Sequence, residues 1–472
     1  MTPDSATLVT VLMASCALGG CAVGPDYRAV EPAAPASFAA ADGAGLGTGV
    51  PDAAWWQDFR DPALDALVER AAAANFDLRI AVANLRASRA LLRGGRFGLL
   101  PSITVEGSAK RQKQSTAAGQ PFVLDGDFYE AGLDASWELD FFGRVRRSVE
   151  ALRADYGSEE AAYRDSLRSI VAEVARTYLD LRGTQHRLAV AERNTVNQED
   201  TYQLTQALLE GGRGTDLDIA RALAQLETTR ASTRPLMAAE VEAINRLALL
   251  TGAAPADLRA QLGTRQDLPR PPELIAVDDP AALLRRRPDV RVAERQLAAA
   301  TARTGVEVAD YFPRVTLTGT GGWRGTSLSD LGRSQAEQYS VGPTISWAAL
   351  DIGRVRARVA ASDARTEAAL ANWEKAVLTA LQETESALNR YSRSLEAAAG
   401  LRIAAEASGR AAELARLRYR NGADSFLTVL DAERRLLEAE DLQAGAETDA
   451  SLAAVSVYKA LGGGWERFAA PR

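Results

Sequence analysis

The chain has 472 residues, with 62 acidic against 55 basic side chains and a formal charge of −7, which gives no general case for nucleic-acid binding. One histidine, His186, and two cysteines, Cys16 and Cys21, are too few for a zinc or iron site and for most His- or Cys-based catalysis. The basic charge is nearly all arginine, with lysine only at 110, 113, 375 and 459.

Residues 1–20 read as a signal peptide: an apolar stretch too short to span a bilayer, ending in LGGC at Leu18–Cys21. That ending resembles a bacterial lipobox, so Cys21 is the expected lipid-attachment residue, and a covalent lipid there is the only cofactor expected. The n-region, MTPDS, carries no Lys or Arg, which departs from the usual leader. Residues 21–60 are rich in Pro, Ala and Gly and are expected to form an extended tether without a packing pattern.

From Asp61 to about Gly98 the spacing of Leu64, Leu67, Ala71, Leu78, Val82 and Leu85 predicts one helix, opened by Asp61 as N-cap and Pro62. The period then falls to two. Tyr129, Ala131, Leu133, Ala135, Trp137 and Leu139 alternate with Glu130, Gly132, Asp134, Ser136, Glu138 and Asp140, and Ser102–Lys110 alternates likewise. Gly143 to Gly211 is a helical stretch without proline, about 69 residues or ~100 Å. A glycine-rich tip and a return helix from Thr215 to Thr251 follow.

The layout then repeats. GRVR at Gly143–Arg146 returns at Gly353–Arg356, Trp137 as Trp347, and the tip GGRGTDLDIARA as NGADSFLTVLDAE from Asn421, all offset by 210. Before the second long helix, Tyr339, Val341, Ile345 and Trp347 alternate with Ser340, Thr344 and Ser346, and Val315 and Leu317 with Arg314, Thr316 and Thr318. The second half is expected to hold an entering helix over Asp279–Tyr311, a long helix over Gly353–Asn421 and a return helix over Ser425–Leu461. Leu370, Val377, Leu381, Leu388 and Leu395 form a coiled-coil seam on that long helix. The domain reading is therefore repeat one over 61–270, repeat two over 271–465, and a tail over 466–472.

Four strands among very long helices have no second sheet to cover them, and an open sheet in lipid leaves backbone groups unpaired. Three chains would supply twelve strands and twelve helical staves. The expected fold is mainly α with β: a trimeric transmembrane barrel continued by a hollow α-helical barrel. Tyr129, Leu133, Trp137, Leu139, Tyr339, Val341, Ile345 and Trp347 then face lipid. Glu130, Asp134, Glu138 and Asp140 face the lumen and favour cations modestly, Arg314 and Lys110 softening the effect.

CAVGPDY, WWQDFRDPALDALV and the ending VYKALGGGW at Val457–Trp465, with the doubled layout, resemble the outer-membrane efflux lipoproteins of the TolC/OprM/NodT type over essentially the whole mature chain. That resemblance implies a passive homotrimeric duct in the outer membrane of a Gram-negative bacterium. It implies a periplasmic adaptor and an inner-membrane pump of the resistance-nodulation-division (RND) class as partners, and no nucleic acid. It also implies a periplasmic gate, for which Leu427 and Asp431 match the family's apolar and aspartate rings. Leu217 and Arg221 hold the equivalent places in the first half, and Arg221 is expected to pair with an acid such as Asp424 or Asp431. The other readings are a duct for type I protein secretion, a coiled-coil lipoprotein without a pore, and an envelope enzyme using Asp134 and Glu138 as an acid/base pair, with nothing else converging on them. His186 reads as a solvated helix position.

Overall fold

The computed structural model describes residues 22–113 and 125–468; the expected leader and Cys21 lie outside the described residues. In chain order the elements are β1 (Leu46–Thr48), α1 (Pro62–Ala74), α2 (Phe76–Phe97), β2 (Ser102–Lys113), β3 (Asp125–Leu139), α3 (Arg144–Glu210), α4 (Asp216–Thr251) and α5 (Pro255–Leu262). There follow β4 (Ile275–Val277), α6 (Pro280–Arg286), α7 (Pro288–Ala309), β5 (Arg314–Gly325), β6 (Glu337–Ser346), α8 (Ile352–Arg420) and α9 (Phe426–Ala460). Among the described residues no helix is long and apolar enough to cross a membrane.

Two compact units are formed, one from residues up to 30 with 84–160 and 292–374, the other from 31–83, 161–291 and 375 onward. The first unit holds a single four-stranded antiparallel sheet in the order β2-β3-β5-β6. Its register puts like with like across the strands: Val105 lies opposite Leu133, Leu133 opposite Gly321 and Gly321 opposite Tyr339. One residue along, Thr104, Asp134, Thr320 and Ser340 line up in the same way. Since a one-residue slip would exchange the two faces, this register follows from the alternation. The sequence repeat reappears in hydrogen bonds, because the Trp137 indole donates to the Leu99 carbonyl at 3.1 Å and the Trp347 indole to that of Tyr311 at 3.0 Å.

The N-terminal residues of this unit are held rather than free. Buried Arg147 donates to the carbonyls of Val23 (3.1 Å) and Gly24 (3.3 Å) and to the Asp26 carboxylate (2.6 Å). The Tyr27 hydroxyl donates to Glu294 at 2.8 Å.

In the second unit the expected tether is a packed belt. β1 pairs in parallel with β4, the Ala39 and Ala40 amides donate to Glu385, and the Ala44 amide donates to Ser392. Trp55 and Trp56 are buried, with Trp55 stacked on Tyr458 at 4.9 Å. Aromatic burial thus overrides a composition that reads locally as linker. The linker from 253 to 278 also carries structure, α5 and β4.

Two expected helices are each broken. Asn75 separates α1 from α2: its Oδ1 accepts from the Asp77 and Leu78 amides and its side-chain amide donates to the Leu250 carbonyl at 2.8 Å. Pro288 separates α6 from α7 and holds Arg287 in an extended conformation. The long helices run unbroken, and Leu388 and Val377 of the expected seam are buried.

Candidate functional site: the strand faces and the helical tips

Glycines in the left-handed conformation end the long helices at matching places, Gly212 with φ 73° and Gly422 with φ 72°. Beyond the first, Thr215 caps α4 by accepting from the Asp218 amide; beyond the second, Ser425 stands at the N-cap without a side-chain capping bond. Asp424 anchors that turn instead. It accepts from the Ser425 amide at 2.9 Å and the Thr428 hydroxyl at 2.8 Å, and Arg418 lies at 3.2 Å. Donation from Thr428, then from Ser425, together with the Arg418 charge, holds the Asp424 carboxyl below its usual range.

Phe426, Val429, Tyr419, Ala415 and Ala222 form a buried cluster that joins α9 to α8 and α4 at the tips. Leu427, next to Phe426, points away from it and is 57% exposed. Leu217 is similarly exposed. Leu427 is therefore not core within its own chain.

Three expectations about charges are corrected by long-range or one-turn partners. Asp431, one of the two acids expected for Arg221, instead accepts from Arg435 one turn along at 2.8 Å. Arg221 makes no ion pair among the described residues, and the two acids considered for it bind Arg418 and Arg435. On the polar strand face, Glu138 binds Arg144 at 2.7 Å, Asp140 binds Arg146 at 3.2 Å and Glu130 binds Arg324 at 3.0 Å. Asp134 alone of the four has no ion pair among the described residues. The repeated GRVR motif was visible in the sequence, but its use as counter-charge depends on the turn between β3 and α3. Arg435 was readable at i+4 from Asp431.

The two faces of the sheet otherwise keep the alternation of the sequence. Ile103, Val105, Leu133, Tyr339, Val341, Ile345 and Trp347 are exposed apolar side chains on one face, and Tyr129, Trp137 and Leu139 share it by register. The other face surrounds a hollow of about 300 Å³ lined by Glu106, Lys110, Glu130, Asp134, Thr320 and Gln338. A sheet wet on one side, apolar on the other and unpaired at both edges suits closure into a barrel in lipid. Among the described residues no cluster of metal-ligating side chains occurs. His186 lies 3.6 Å from Glu447, a contact that spacing alone did not suggest.

Comparison with known proteins agrees with this geometry. A family described as outer membrane efflux protein matches residues 67–253 and 280–463, the two halves of the repeat. Outer membrane protein OprJ of Pseudomonas aeruginosa is 33% identical over 97% of this chain and 96% of its own length. The antibiotic efflux pump outer membrane protein ArpC of Pseudomonas putida is 32% identical over 97% of this chain and 96% of its own. The solved outer-membrane channel OprN superposes with a TM-score of 0.90 at 42% identity, covering 94% of this chain and all of that one. The chain belongs to the outer membrane efflux protein family, with the fold of its trimeric channels.

Proposed function

We propose that three copies of this chain form a passive exit duct for small molecules, loaded by an inner-membrane pump of the RND class through a periplasmic adaptor. The family fixes the coarse role, an outer-membrane efflux channel working with a pump and an adaptor. The observation that carries the pore is the two-faced sheet with open edges, which has no use in a non-porous coiled-coil lipoprotein. In this reading Cys21 carries the lipid anchor, and exposed Leu427 forms the apolar constriction of the gate. Asp431, held by Arg435, forms a polar ring one turn beyond. Leu217 and Arg221 line the first-half tips.

Deleting the gene and measuring retention of an efflux dye tests the role. The deletion is expected to raise dye accumulation severalfold and the intact gene to restore it. Unchanged accumulation together with loss of a secreted protein would favour the type I secretion duct. Mass spectrometry of the mature N-terminus is expected to find Cys21 acylated and residues 1–20 removed; an unmodified Cys21 would overturn the anchor.

A further inference from the structure

In the second unit, α3, α9 and α8 present a continuous groove made of two adjoining hollows of about 470 and 690 Å³ that share Arg176, Ser386, Arg390 and Ser456. Each of the three helices has the belt, the start of α1 or the linker from 253 to 278 on its opposite side, and together these count as the belt. On α3, Tyr178 and Arg182 bond to Asp61 and to the Thr264 carbonyl. On α8, Tyr391 and Ser392 bond to the Pro272 carbonyl and the Ala44 amide. On α9, Tyr458 and Ser451 bond to Asp58 and to the Pro269 carbonyl. At about 100° per residue the groove residues lie on average roughly 140–170° around each helix from these contacts. Three copies of the belt would plug a duct, so the belt takes the outer side and the groove the bore.

The charges in this groove are unbalanced. Two of its three carboxylates are bound from outside it, Glu173 to Arg246 at 3.2 Å and Glu383 to buried Arg287 at 2.6 Å; the third is Asp449. Arg176, Arg390 and Lys459 are exposed and have no ion pair among the described residues, although Arg176 feels Asp180 one turn along. At the far end Arg393 binds Glu396 at 2.8 Å, and Asp449 stands within the field of Arg187. Buried Ala172, Ala387 and Val455 form an apolar floor beside Arg176, Arg390 and Lys459. Two guanidinium groups and an ammonium beside an apolar floor match an amphiphilic anion: a carboxylate for the cations and a hydrocarbon body for the floor.

We propose that this groove is a binding station for organic acids with an apolar body, one per protomer, along the wall of the bore. The placement in the bore rests on the channel reading; the binding does not. The test is isothermal titration of 2-naphthoate into full-length trimers in lipid nanodiscs, with empty discs subtracted and naphthalen-2-ylmethylammonium as the cationic counterpart. Saturable binding of naphthoate near one per protomer is expected, with none for the ammonium. Arg176→Gln with Arg390→Gln should weaken it at least tenfold and Lys459→Gln severalfold, all variants eluting as trimers. Equal affinity in the double variant, equal binding of the ammonium, or no saturable naphthoate binding would overturn the proposal. A trimer that conducts ions without binding naphthoate sinks the groove alone, whereas one that binds without conducting sinks the duct.

Discussion

Arg147 shows how single side chains decide what local composition cannot. It is 4% exposed and takes up two backbone carbonyls and Asp26, so residues 22–27 are fixed where a free tether was expected. Arg147→Gln should raise hydrogen exchange at residues 22–27 by at least about tenfold, equivalent to roughly 1.4 kcal/mol of lost local protection; unchanged exchange would show that Tyr27 and Glu294 suffice. Arg287 acts similarly in the second unit. It is fully buried, donates to the Ala460 carbonyl at 3.0 Å and binds Asp289 and Glu383. Burial alone would raise the Asp289 carboxyl, but the Arg287 guanidinium outweighs it and holds the group below the usual carboxylate range. A depressed native pKa contributes stability above the unfolded value near 3.9 and loses it as pH falls through the native one. Thermal melts from pH 7 to pH 3 should therefore show a steeper acid loss in the natural protein than in Asp289→Asn, which starts from a lower plateau. Parallel curves would contradict that.

At the level of elements, the tips separate fold from function between adjacent residues. Phe426 is 3% exposed in the cluster with Tyr419 and Val429, and Leu427 is 57% exposed. Phe426→Ala should cost about 3 kcal/mol or more locally and loosen exchange protection over the first turns of α9. Leu427→Ala should leave that protection intact. Equal loss in both would make Leu427 a packing residue. The strand faces, the long helices and the doubled tips were legible because period two, period 3.6 and turn glycines are local signals. The breaks at Asn75 and before Pro288, the burial of the two tryptophans and the arginine partners of the strand carboxylates were not. Asn75 answers a carbonyl 175 residues away and Trp55 stacks on a tyrosine near the other end of the chain, and no local periodicity encodes such pairings.

For the whole molecule, the structure lowers one sequence-based expectation. With Glu130, Glu138 and Asp140 each beside an arginine, Asp134 is the one of these four carboxylates without an ion pair among the described residues, and it shares the polar strand face with Glu106 and Lys110. The reversal potential of the trimer in a salt gradient should show a weak cation preference that Asp134→Asn reduces further; strong cation preference surviving that change would place the selectivity elsewhere.

In the proposed function three chains enclose a duct narrowed at the tips by Leu427 and Asp431. Single-trimer conductance in a planar bilayer, compared between the natural protein and the Leu427→Ala, Asp431→Ala double variant, tests it most directly. Low conductance in the natural trimer and a severalfold rise in a correctly assembled double variant are predicted. Trimers that insert without conducting would contradict the duct, and an unchanged conductance in the variant would contradict the gate.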